Sequence, residues 1–106
     1  MDVVQCLVTE GKADVNQART DNGTTPLFIA VGKGHIDIVK YLVTKGAEVK
    51  KADNDGATPL LIACQNGHME IVNYLITKGA DVNKADNNGR TPLYVACGEG
   101  HMDIVT

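Results

Sequence analysis

Thr58-Pro59-Leu60-Leu61-Ile62-Ala63-Cys64-Gln65-Asn66-Gly67-His68 reads as a short helix with both ends marked. Thr58 offers a side-chain oxygen to the free N–H groups of a first turn, and Pro59 is pre-set for the first helical position, where its missing N–H removes nothing. Leu60, Ala63 and Cys64 fall at i, i+3 and i+4, one apolar stripe with small residues that admit a close neighbour. Gly67 stops the helix. Upstream, Asp53-Asn54-Asp55-Gly56 is a turn, because Asn and Asp tolerate left-handed backbone and Gly accepts positive φ. Downstream, a second helix from about Met69 to Lys78 puts Ile71, Val72, Leu75 and Ile76 inside and Glu70, Asn73 and Lys78 outside. Gly79 ends it, and Ala80-Asp81-Val82-Asn83 leads on as an extended, strand-like arm. Neither helix is stable alone at this length, so each must be held by neighbours.

Those neighbours are copies. Thr25-Pro26-Leu27, Thr58-Pro59-Leu60 and Thr91-Pro92-Leu93 recur at an interval of 33 residues, followed by Gly34-His35, Gly67-His68 and Gly100-His101. A fixed period of this size specifies a solenoid of stacked units. Two complete units run near Thr20 to Ala52 and Asp53 to Ala85, with partial units at 1–19 and 86–106. Gly11-Lys12-Ala13 and the segment from Val15 to Pro26 each carry one residue more than their later counterparts, so the turn around Arg19 to Thr24 should differ in shape. Met1-Asp2-Val3-Val4 aligns with Met102-Asp103-Ile104-Val105, which places both ends inside second helices and suggests a piece of a longer array. Val3, Val4, Leu7 and Val8 at the start, and Leu93, Val95, Ala96 and Ile104 at the end, would then be uncovered, predicting self-association at high concentration.

The chain has 106 residues, 43% hydrophobic and 22% charged, enough for one core under a wet surface. Its net charge is −3, with ten Lys and Arg scattered among thirteen acids, which argues against a nucleic-acid partner because phosphate contacts need a clustered basic face. No apolar run exceeds about six residues, against the roughly 20 that span a bilayer, so no membrane partner is expected. Met1 is followed by an acid and then by helical periodicity rather than a signal peptide. Three cysteines cannot all pair, which points to reduced thiols in the cytoplasm or nucleus.

Reactive residue types are present, but the repeat explains them. His35, His68 and His101 sit at equivalent helix starts, and stacked helices about 10 Å apart cannot converge on a metal whose Zn–N bonds are about 2.1 Å. Cys64 and Cys97 are equivalent and by the same spacing too far apart for a disulfide, while Cys6 lies where Tyr41 and Tyr74 lie; all three read as small core or semi-core residues. Gly32-Lys33-Gly34 and Gly98-Glu99-Gly100 precede no strand-loop-helix unit, so neither is a phosphate loop. There is no serine and no positioned carboxylate pair, hence no candidate catalytic residue, metal or cofactor.

The turn Asp86 to Gly89, Thr91-Pro92-Leu93, Ala96, Gly100-His101 and Ile104-Val105 complete a pattern that resembles the ankyrin repeat family over essentially the whole chain. Phe28, Leu61 and Tyr94 depart from the family histidine after Thr-Pro-Leu, which removes a bracing hydrogen bond of about 1 kcal/mol per site. The resemblance implies an all-α solenoid of helix-turn-helix units with β-turn fingers, and a protein-interaction module inside a larger scaffold. A structural spacer, or a regulatory segment of a larger enzyme or channel, is the alternative. It also implies docking on the concave side. By position the finger residues are Asp21, Asn22, Thr24, Asn54, Asp55, Ala57, Asn87, Asn88 and Arg90, and the first-helix residues are Lys33, Gln65, Asn66 and Glu99. In the family the asparagine of the Ala-Asp-Val-Asn arm can be hydroxylated, which points to Asn16 and Asn83, with Lys50 unable to serve.

Overall fold

The computed structural model describes residues 16–98, so the outer parts of both terminal units, 1–15 and 99–106, with Cys6, Glu99 and His101, lie outside them. Five helices occupy this stretch: α1 Pro26–Lys33, α2 Ile36–Thr44, α3 Pro59–Asn66, α4 Met69–Thr77 and α5 Pro92–Gly98. Among the described residues there is no strand.

The local signals act as their chemistry requires. Thr58 lies in extended backbone and its Oγ1 accepts from Leu61 N at 3.2 Å, and Thr25 and Thr91 do the same for Phe28 N and Tyr94 N. Each Thr therefore satisfies an N–H that the helix leaves free. Gly67 closes α3 in left-handed geometry at φ 75, and His68 N reaches back to Ala63 O at 3.0 Å. The second helices end alike, with Ala47 N on Leu42 O and Ala80 N on Leu75 O, both at 3.0 Å.

The first helices form one row, α1 packing on α3 and α3 on α5, while α2 and α4 form the outer layer on α1 and α3. Between the layers Leu27, Val31, Val39, Leu42, Leu60, Leu61, Ile71 and Leu75 are almost wholly buried. The imidazole of His68 packs on the preceding unit, where a Cβ added at Gly34 would stand 2.9 Å from its Cε1. It makes no capping hydrogen bond, so its role is contact between units.

Three expectations need correction. Ile76 is 43% exposed, because it sits about 100° round the helix from Leu75 and faces a shallow apolar cleft shared with Val82 and Leu93. The arms are turns rather than extended segments, each folded back by a bond such as Lys51 N to Glu48 O at 3.4 Å. Cys64 is buried, which pushes its thiol up to about 11, but its counterpart Cys97 is exposed and not a core residue.

Candidate functional site

The second and third fingers are each built round one inward carboxylate. In the finger Asp53 to Ala57, Asp53 Oδ1 accepts from Asp55 N at 2.9 Å and Ala57 N at 3.0 Å, and Asp53 N donates to Ala57 O. Asp86 repeats this with Asn88 N and Arg90 N at 2.9 and 3.0 Å. Arg90 adds its guanidinium, with Nε 2.8 Å and Nη2 2.7 Å from Asp86 Oδ2. The first finger closes one residue wider, from Arg19 N to Thr24 O at 2.9 Å, as its extra residue requires. Lacking an Asp at the base, it uses Asn22 Oδ1, which accepts from Thr24 N and Thr24 Oγ1, and its rim carries an Arg19–Asp21 pair at 2.8 Å. The hydrogen bond from Arg19 holds the Asp21 carboxyl below its ordinary value.

The Arg90 backbone N–H, and after it the guanidinium, hold the Asp86 carboxyl below the usual carboxylate range against the opposing effect of burial. A folded value below the unfolded one, near 4, gives a stabilisation present above that value and lost as pH falls through the folded one. The stability gap between the unsubstituted chain and Asp86→Asn should therefore narrow as pH is lowered from about 7 to about 3. A gap that stays constant in denaturant melts across that range would contradict this role.

Successive fingers are laddered. Asn54 N donates to Asn22 O and Asn87 N to Asp55 O, both at 2.9 Å. The side chains reinforce this, Asn87 Nδ2 donating to Asn54 O at 3.1 Å and Asn54 Nδ2 reaching Asp21 O at 3.4 Å. One helix layer away, Asn66 Nδ2 donates to Gly32 O at 3.1 Å and covers a free carbonyl near the end of α1.

These bonds divide the residues singled out from sequence. Thr24 and Ala57 are buried, at 6% and 7% exposure, so their side chains face into the fingers rather than solvent. Asn54, Asn87 and Asn66 have side chains engaged in joining units, and Asn22 and Arg90 in shaping fingers. Gln65 is half-buried and has an interaction partner, and Glu99 is outside the described residues. Asp55, Asn88 and Lys33 are exposed, and Asp21 is exposed in its pair with Arg19. Sequence reasoning overlooked Ile29, 43% exposed on α1. The signal was available: Ile29 lies off the buried stripe of Leu27, Ala30 and Val31, three and four residues apart.

Among the described residues no group of His, Cys, Asp and Glu is arranged to hold a metal ion, and no helix is long and apolar enough to cross a membrane.

Paired helices in two layers, joined unit to unit by laddered turns, define an α-helical repeat protein. The model of the family described as ankyrin repeats (3 copies) matches residues 1–53 and 48–106, and the chain belongs to the ankyrin repeat family. It is 50% identical over 48 residues to alpha-latrocrustotoxin-Lt1a of Latrodectus tredecimguttatus, covering 45% of this chain and 3% of that protein. To protein HOS4 of Saccharomyces cerevisiae it is 49% identical over 39 residues, 37% of this chain and 4% of that one. To protein phosphatase 1 regulatory subunit 27 of Mus musculus it is 42% identical over 55 residues, 52% of this chain and 34% of that one. The matches thus span about a third or less of the length of these relatives. Ankyrin repeats are generally protein–protein interaction modules, and the family is generally non-enzymatic.

Proposed function

We propose that this chain is a protein-interaction module whose partner docks on the finger rim and the exposed side of the first helices. The observation that carries the reading is a division of labour within each finger. The ladder recurs at both finger junctions and the inner carboxylate in the second and third fingers, while the exposed positions run from the negative Asp21 and Asp55 through the neutral Asn88 to the positive Lys33. A rigid frame that presents variable groups loses little freedom on binding, which favours recognition. Exposed aromatic anchors are few on this rim, so charge and hydrogen bonding set its specificity.

The test uses a partner first identified by crosslinking in cells. Asp55→Lys and Lys33→Glu should each weaken its capture while the helical circular dichroism and melting temperature stay nearly constant, since exposed changes cost under about 0.5 kcal/mol. Loss of capture on changing Glu70 or Asn73 of α4 instead, with the rim changes silent, would place docking on the outer layer and reject this reading.

The likeness to a regulatory subunit of protein phosphatase 1 favours a second reading, in which the same rim belongs to a regulatory segment acting on an enzyme carried elsewhere. Self-association belongs to the proposal too, supported by Leu93 and Tyr94 of α5 at 59% and 65% exposure. A strict monomer in sedimentation at millimolar concentration would remove it.

A further inference from the structure

Asn16, Lys50 and Asn83 hold the same place in successive arms. At the first junction the Asn16 carboxamide joins two units: Nδ2 donates to Gly46 O at 3.1 Å and Oδ1 accepts from Glu48 N at 2.8 Å. One planar amide takes one acceptor and one donor of the next arm, which fixes that arm in two directions. The following arm offers the same receiving groups, Gly79 O and Asp81 N, at the end of a helix closed in the same way.

Lys50 stands where the carboxamide would be. An ammonium has three donors and no acceptor, so it cannot take the Asp81 N–H, and its long stem does not present a flat donor-acceptor pair. Lys50 is exposed, and among the described residues its side chain makes no hydrogen bond or ion pair; Gly79 O and Asp81 N are likewise without a protein partner. Between the two arms lies a cavity of about 170 Å³ lined by Val49, Lys50, Thr58, Ala80, Asp81 and Lys84.

We propose that Lys50 makes this junction open more readily than the Asn16 junction before it. The units Thr20 to Ala52 and Asp53 to Ala85 part at their arms, while the finger ladder and the stacked first helices still hold them together. Stability in stacked repeats is a sum of unit and neighbour terms, so a junction lacking one clasp has a lower local opening energy than one that keeps it.

Residue-resolved amide hydrogen exchange on the 106-residue chain tests this. After correction for intrinsic rates, the Asp81 amide should exchange about fivefold faster than that of Glu48, the effect of one net hydrogen bond. Lys50→Asn should slow Asp81 by a similar factor and raise the melting temperature by about 4 °C or more. Lys50→Ala removes the charge without adding the amide and should leave Asp81 fast. Equal protection of Glu48 and Asp81 in the unsubstituted chain, no slowing in Lys50→Asn, or equal slowing in Lys50→Ala would each overturn the proposal.

Discussion

Replacing Gly56 with alanine is expected to destabilise the fold by about 2–4 kcal/mol, whereas replacing Gly79 should cost only about 1 kcal/mol. Both residues have positive φ, 81 and 95, so both substitutions carry the left-handed penalty. Their surroundings differ. At Gly79 an added Cβ meets nothing within 4 Å. At Gly56 it would stand 2.5 Å from Asn87 Oδ1 and 2.9 Å from Asn87 N. The side-chain oxygen can swing away, but the backbone nitrogen cannot, since it is the donor that ladders the third finger onto Asp55 O. The methyl group therefore either breaks that bond or forces two fingers apart. Urea melts of the two variants give the comparison directly, and a difference below about 0.5 kcal/mol would show that the ladder yields without resistance.

Leu60→Ala is expected to cost about 3–5 kcal/mol, and Leu93→Ala less than about 1 kcal/mol, although the two leucines end the same Thr-Pro-Leu phrase. Leu60 is 1% exposed on α3, the helix that packs against α1, α4 and α5 together. Truncating it leaves a hole that three neighbours would have to close, and interiors relax only in part. Leu93 is 59% exposed on α5, whose main partner is α3, so truncation removes little buried surface. Leu27, at 0% exposure, should behave as Leu60 does. Thermal and denaturant unfolding of the Leu60 and Leu93 variants would decide it, and equal losses at both sites would mean that burial in the stack is not what separates them.

The amino-acid sequence by itself determined the family and the all-α architecture, and it placed α3 and α4 to within a residue or so. Thr58, Pro59 and Gly67 could be read because a cap acts within one turn of its own residue. Asp53 and Asp86 could be placed in turns for the same reason, and the wider first finger followed from one extra residue. The candidate interaction surface was legible only in outline. Asn54, Asn66 and Asn87 look like free polar groups in the sequence, and they became structural only when a carbonyl of the preceding unit was brought opposite them. Thr24 and Ala57 went inside, and Ile76 and Cys97 came out. Leu60 and Leu93, which end the same Thr-Pro-Leu phrase, parted in the same way. Hydrogen-bond partners 30 or more residues away, and the presence of a packed neighbour on a given face, are properties of stacking, and a repeating sequence assigns the same local preference to every copy whatever stands beside it.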